Sequence, residues 1–298
     1  MANFADRLLQ DIRSKDSRCI VGLDPRIDKM PAFISRESAC ATITEFHELV
    51  LDAVADLVPA VKPQLAFFEQ YGVAGMQAFE NTVHAAKKRG LLVIADAKRN
   101  DISSTAEAYA NAYLSPDAFD CDALTVTPYL GRDSLTPFTE ACRKHAKGLF
   151  VVLKTSNPGS KDFQDQPLVE DGRPLYEKIA AVLNKLGRDL TGESGYSSLG
   201  AVIGATFPEE AARLRTLMPQ ALILVPGYGA QGGSAKAAAE CFNDDGLGAI
   251  VSSSRGITYA FNDPNLSREA FVQSVRANTL RMIAEINTAV KRVPITAS

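Results

Sequence analysis

Asp96, Lys98 and Asp101 lie within one short run, Asp96-Ala-Lys-Arg-Asn-Asp101. Side chains two apart on an extended chain share a face, so Asp96 and Lys98 point the same way and Asp101 is placed to curl back over them. An ammonium flanked by carboxylates keeps its proton, which suits a proton donor and not an amine nucleophile. It also stabilises negative charge that develops beside it. Buried ions are costly unless paired, so the trio by itself reads either as a reaction centre or as a structural ion pair with a solvated turn.

Other polar residues fall at comparable places. Asp24 follows Cys19-Ile-Val-Gly-Leu23, Lys62 ends Pro59-Ala-Val-Lys62, and Ser156 follows Gly148-Leu-Phe-Val-Val-Leu153. Pro226-Gly-Tyr-Gly-Ala-Gln-Gly-Gly233 and Ser252-Ser-Ser-Arg-Gly256 come after two further apolar runs. Glycines there allow the backbone to approach an anion closely, Gln231 adds an amide donor, and Gly256 frees the backbone beside Arg255. The Arg255 guanidinium can hold a phosphate through two parallel bonds. These residues point to a phosphorylated small molecule. Tyr129 and Tyr228 are read as packing residues, and His47, His84 and His145 lie within helices, away from the chemistry.

What must position these groups is a series of short apolar strands, each followed by a helix. Strands are expected at 19–24, 59–63, 91–95, 123–127, 148–153, 199–203, 221–225 and 248–251. Leu91 to Ala95 reads as a fully buried strand of parallel type. Helices are expected at 4–14, 36–57, 67–89, 102–110 with Ser103 or Ser104 as a candidate cap, 135–145, 175–190, 208–217 and 267–290, with a short alanine-rich one after Gly233. The stretch 160–173 reads as a long loop. Eight such units without a composition break predict an α/β fold, a single (β/α)₈ TIM barrel with an N-terminal helix, spanning residues 1–298 as one catalytic domain. A doubly wound open sheet is the competitor, but Gly22-Leu-Asp-Pro25 is not its glycine-rich phosphate turn. In a barrel all these polar residues converge on the C-terminal face, and loops seven and eight are the frequent phosphate site.

Composition narrows the partners. The chain has 298 residues, 46% hydrophobic and 22% charged, with net charge −3, values ordinary for a soluble globular protein. No basic block argues for nucleic acid, and no apolar run reaches the length of a membrane span. Five scattered cysteines without a Cys/His cluster argue against zinc and fit a reducing cytoplasm.

Asp96-x-Lys98-x-x-Asp101-Ile102, Lys62 on the preceding strand, Pro226-Gly-x-Gly-Ala-Gln-Gly-Gly233 and Ser253-Ser-Arg255-Gly256 together resemble the orotidine 5′-phosphate decarboxylase family. Lys154-Thr-Ser-Asn-Pro-Gly159 and the loop after it are similar to its longer bacterial form. The resemblance implies conversion of orotidine 5′-monophosphate to UMP and CO₂ in pyrimidine biosynthesis, with neither metal nor organic cofactor. It implies that Lys62, Asp96, Lys98 and Asp101 form an alternating charged array in which Lys98 protonates C6. Asp24 and Lys62 would bind the ribose, Ser156 the pyrimidine, and Gln231, Arg255 and Gly256 the phosphate. It further implies a cytoplasmic homodimer with shared sites, Asp101 and Thr105 being supplied across the interface. A metal-dependent keto-sugar-phosphate decarboxylase with the same Asp-x-Lys-x-x-Asp motif, a Schiff-base aldolase and a non-catalytic nucleotide-binding barrel are the competing readings.

Overall fold

The computed structural model describes residues 2–229 and 232–290. The chain runs α1 (Phe4–Lys15), β1 (Cys19–Leu23), α2 (Ala39–Val54), β2 (Ala60–Pro63), α3 (Leu65–Glu69), α4 (Gly72–Lys88), β3 (Leu92–Arg99), α5 (Ser103–Leu114), β4 (Ala123–Val126) and α6 (Thr136–His145). It continues through β5 (Gly148–Lys154), α7 (Leu175–Gly187), β6 (Ser197–Ile203), α8 (Pro208–Leu217), β7 (Ala221–Val225), α9 (Ala235–Ala239), β8 (Ala249–Ser253), α10 (Arg255–Thr258) and α11 (Arg268–Ala289). The eight strands pair in sequence order and β1 closes on β8, all parallel. The expected barrel with an N-terminal helix is what forms.

Strand alternation sorts the side chains into two cores. Val21, Val61, Val93, Leu124, Val151, Ile223 and Val251 face outward against the helices. Ile20, Ala60, Ile94, Ala123, Phe150, Leu222 and Ile250 face inward. Helix α1 closes the bottom of the barrel with Phe4, Leu8 and Ile12. Phe4 meets Phe150 edge to face at 5.9 Å between centroids. Gly148 makes room for that ring, since a Cβ there would stand 2.3 Å from it. Asn3 and Asp6 form a reciprocal capping box that starts α1.

Local differences from the sequence reading have identifiable causes. The single helix expected over 67–89 is two, because Gly72 at φ +60° turns the chain after Tyr71. Ile102, and neither Ser103 nor Ser104, occupies the N-cap of α5, without a side-chain bond. β3 continues through the charged residues to Arg99, because those side chains find partners inside the barrel mouth. The long loop is tied down at the end of β5. Lys154 is wholly buried, bonds Asp165, and lies 4.7 Å from the Phe207 ring centroid and 5.4 Å from that of Tyr176. A register shift after Val152 adds one residue to β5 and sends Lys154 outward to these partners.

Candidate active site

Inward-facing positions change character along each strand. At the bottom they are Ile20, Ala60, Ile94, Ala123 and Ile250. Two residues further on they are Gly22, Lys62, Asp96, Thr125 and Ser252, and the next step brings Asp24, Gln64, Lys98 and Ser254. The period of two that builds an apolar floor thus builds a polar wall above it. Above the floor is a cavity of about 340 Å³ lined by Asp24, Lys62, Gln64, Asp96, Lys98 and Ser156, with Arg255 on its rim and Val152, Val202 and Leu224 as an apolar side.

Asp96 is the centre of the polar wall. Lys62 Nζ donates to Oδ2 at 2.7 Å and Gln64 Nε2 to the same oxygen at 2.9 Å. Lys98 Nζ donates to Oδ1 at 2.5 Å and the Thr125 hydroxyl to the same oxygen at 3.0 Å. A carboxylate has about four acceptor sites, so Asp96 is saturated. Burial by itself would raise its pKa, but the Lys62 and Lys98 ammoniums prevail and hold it well below the usual carboxylate range. Burial likewise opposes the charge on Lys62, and Asp96 with Asp24 overcomes it, so the Lys62 pKa is raised. Both charges of this buried pair persist across the physiological range.

Lys98 differs from Lys62 in being open to the cavity, with its side chain 45% exposed. Its backbone adopts φ +48°. For a residue with a Cβ, that left-handed conformation costs about 1–2 kcal/mol, and it ends the regular alternation where the strand becomes the loop.

Two groups in the wall lack partners among the described residues. Asp24 Oδ1 and Ser254 Oγ are buried and make no hydrogen bond. Both line the cavity, so a ligand bearing hydroxyls is the group that would satisfy them. The turn carrying Asp24 is held by Tyr259, whose hydroxyl donates to the Asp24 carbonyl at 3.0 Å and accepts the Arg26 N–H at 2.9 Å. Gly204 lies against Ser156, where a Cβ would meet the serine N at 2.9 Å.

The anion side is less complete. Arg255 is exposed, reaches the cavity and forms no ion pair among the described residues. Gly256 beside it is also exposed. Gly227, Gly229 and Gly232 have φ of +92°, +72° and +86°, and a Cβ at Gly233 would stand 2.8 Å from the Gly227 carbonyl. The loop folds on itself: the N–H groups of Gly229, Gly232 and Gly233 donate to the carbonyls of Gly233, Gly229 and Gly227. Its glycines thus serve the turn in this structure. The Gln231 expectation lies outside the described residues.

Asp101 is not part of the array within one chain. Its carboxylate accepts the Ile102 N–H at 2.7 Å, and it does not line the cavity. The expectation that it curls back over Asp96 and Lys98 is corrected: the chain leaves the barrel axis after Asn100, whose amide is bonded to the Thr127 carbonyl and to Ser134 on the neighbouring loop. Thr105 is exposed one turn into α5. Tyr129 is no packing residue either, being 85% exposed. Tyr228 lines the cavity and bonds Glu285 on α11. Gln64 and Thr125 were missed. Period two from Lys62 would have found Gln64, whereas nothing in the local sequence distinguishes Thr125 from a strand-filling threonine.

Among the described residues no group of three or more His, Cys, Asp and Glu is arranged to hold a metal. Among the described residues no helix is long and apolar enough to cross a membrane.

The sequence pattern of the family described as "Orotidine 5'-phosphate decarboxylase / HUMPS family" matches residues 17–270. The chain is 45% identical to an orotidine 5′-phosphate decarboxylase of Rhodopirellula baltica, over 95% of this chain and 98% of that protein. It is 41% identical to one of Caldicellulosiruptor saccharolyticus, over 88% of this chain and 92% of that protein. Among solved structures, the OMP decarboxylase of Leishmania donovani superposes with a TM-score of 0.76 at 31% identity, over 98% of this chain and 100% of that one.

Proposed function

The chain belongs to the orotidine 5′-phosphate decarboxylase family, and from that premise we propose how its site divides the work of converting orotidine 5′-monophosphate to UMP and CO₂. The chain is a carboxy-lyase of pyrimidine biosynthesis. The observation that carries the assignment of roles is the saturated Asp96, which fixes two ammoniums while leaving one of them open to the cavity.

Loss of CO₂ from C6 of the pyrimidine leaves a carbanion with little delocalisation. Lys98 stands beside that carbon, stabilises the developing charge and then transfers its proton to C6. Asp96 lies near the departing carboxylate and repels it. Two charges about 4 Å apart at an effective dielectric of 20 contribute roughly 4 kcal/mol, about a thousandfold in rate. The largest enzymic accelerations need on the order of 20 kcal/mol, so repulsion alone cannot carry the reaction, and charge stabilisation by Lys98, aided by the water that bound substrate excludes, is required beside it. Asp24 and Lys62 hold the ribose hydroxyls, Ser156 the pyrimidine, and Arg255 with Gln231 and Gly256 the phosphate. Binding energy from the phosphate, remote from the reacting carbon, organises the site around it.

The whole chain acts as one catalytic domain, in the cytoplasm, as a homodimer that completes each site with Asp101 and Thr105 of the other protomer. Exposed apolar side chains support the dimer: Ile102 (55% exposed), Tyr129 (85%) and Leu130 (47%) occupy the linked loops after β3 and β4, beside Asp101. Five free cysteines support a reducing compartment.

The deciding measurement is absorbance loss at the orotate band when enzyme and orotidine 5′-monophosphate are mixed, with UMP identified as product. We expect turnover to persist after EDTA treatment. Binding without turnover would leave a nucleotide-binding barrel, and EDTA-abolished turnover would favour the metal-dependent relatives. For the dimer, Lys98→Ala and Asp101→Ala proteins are unfolded together and refolded as a mixture. Half of the dimers are then mixed and hold one intact site each, so about a quarter of parental activity returns if sites are shared. Absence of recovery would place each site within one chain.

A further inference from the structure

We propose that Thr125 is a positioning residue for decarboxylation, its hydroxyl setting the direction from which the Lys98 ammonium enters the site. This rests on the role of Lys98 given above. Thr125 is completely buried on β4, one strand away from the charged residues. Its hydroxyl makes two bonds at once. It donates to Asp96 Oδ1 at 3.0 Å and accepts the backbone N–H of Lys98 at 2.9 Å. Since Lys98 Nζ donates to that same Oδ1, the three residues close a ring: hydroxyl, carboxylate, ammonium, backbone and hydroxyl again.

The need for this ring comes from the strand pairing. Ala95 pairs with Leu124, and the next pair is Arg99 with Val126. β3 therefore spends four residues where β4 spends two. The surplus residues have no partner on β4, and a strand N–H without an acceptor is unfavourable inside a protein. The Thr125 side chain supplies the acceptor that the β4 backbone does not. In doing so it supports Lys98 at φ +48°, a conformation that persists only where its surroundings fix it.

The other half of the device is the carboxylate. Lys62 and Gln64 hold Oδ2, whereas Oδ1 has only Thr125 and the solvent-facing Lys98. Without the hydroxyl, Oδ1 is restrained by a flexible ammonium alone. A displacement of about 1 Å at a reacting group costs on the order of a hundredfold in rate. Binding of the phosphate and ribose, made by other strands, is untouched.

The test compares Thr125→Val, which keeps the shape and removes the hydroxyl, with Thr125→Ser, which keeps the hydroxyl. Expected for Thr125→Val is a fall in kcat of about ten- to a hundredfold, with KM and the UMP dissociation constant within about threefold of the parent. Thr125→Ser returns kcat to within about threefold of the parent. Far-UV circular dichroism and urea unfolding confirm that each variant is folded. A Thr125→Val protein with parental kcat overturns the proposal. So does an equal loss in Thr125→Ser, which would assign the effect to packing of the methyl group. If Thr125→Val does not fold, Thr125→Cys, with its weaker hydrogen-bonding thiol, replaces it beside Thr125→Ser: lower kcat in the cysteine variant supports the proposal and equal kcat overturns it. A parent enzyme that binds the nucleotide without turnover would instead remove the assigned role of Lys98, a result distinct from all of these.

Discussion

Replacing Lys98 by alanine separates catalysis from folding. The lysine side chain is 45% exposed, and Asp96 would keep Lys62, Gln64 and Thr125 as donors. Alanine at φ +48° carries the same backbone penalty as lysine, so no strain is added. The cost to stability is therefore that of one partly exposed ion pair, about 1 kcal/mol. The cost to catalysis is far larger. A unit charge about 3 Å from the carbanion at an effective dielectric of 20 contributes about 5 kcal/mol, close to 10⁴ in rate. Loss of the positioned proton donor removes about a further 10² or more. We therefore expect kcat to drop by about 10⁶ or more, measured by absorbance loss with orotidine 5′-monophosphate and, near the detection limit, by quantifying UMP. UMP binding by calorimetry and the urea midpoint should stay close to parental. A kcat within about 10³ of the parent would refute the assignment of Lys98 as stabilising charge and proton donor. Loss of UMP binding together with activity would show that the array is needed for ligand binding and would undermine the division of roles.

Arg255→Ala should lower kcat/KM by at least about a hundredfold through lost charge-assisted bonds to phosphate, without a change in unfolding midpoint. Added phosphite dianion should activate the parent enzyme, and not Arg255→Ala, toward a nucleoside lacking the phosphate, and equal behaviour of the two proteins would remove the phosphate assignment. Gly204→Ala should raise KM by about tenfold, because its Cβ would press on the Ser156 backbone at 2.9 Å; an unchanged KM would mean that this segment yields. His47 is wholly buried against Thr82 and burial lowers its pKa to about 3, so the folded state excludes a proton that the unfolded chain accepts below its ordinary value near 6.5. Its contribution is fully present above that value and is lost as pH falls toward 3; between pH 7 and 5 stability should drop by about 2 kcal/mol from this group. Urea unfolding of His47→Gln should show a smaller drop over that interval, and an identical drop would refute the account.

The fold was readable because it repeats. Eight apolar runs followed by eight helical stretches leave few other arrangements, and parallel strands buried on both faces announce themselves as continuous apolar segments. The seventh strand and the helix at Pro208–Leu217 coincide with their expected limits, since a proline or a solvent-exposed turn marks each boundary. Asp96, Lys98, Lys62 and Asp24 were recognisable because charges at the ends of buried strands are costly without a purpose.

Other features depend on partners distant in sequence. Thr125 acts on residues 29 and 27 positions away, and its partners are set by the register between β3 and β4. The bulge in β5 turns Lys154 away from the cavity that simple alternation would have given it. Asp101 belongs to the charged motif by spacing but leaves it by direction, because the chain turns outward after Asn100. Residue type and period two are properties of one segment and determined the fold and the kinds of chemistry available. Which hydroxyl steadies which charge is a property of strand register and closure, and only the assembled barrel decides it.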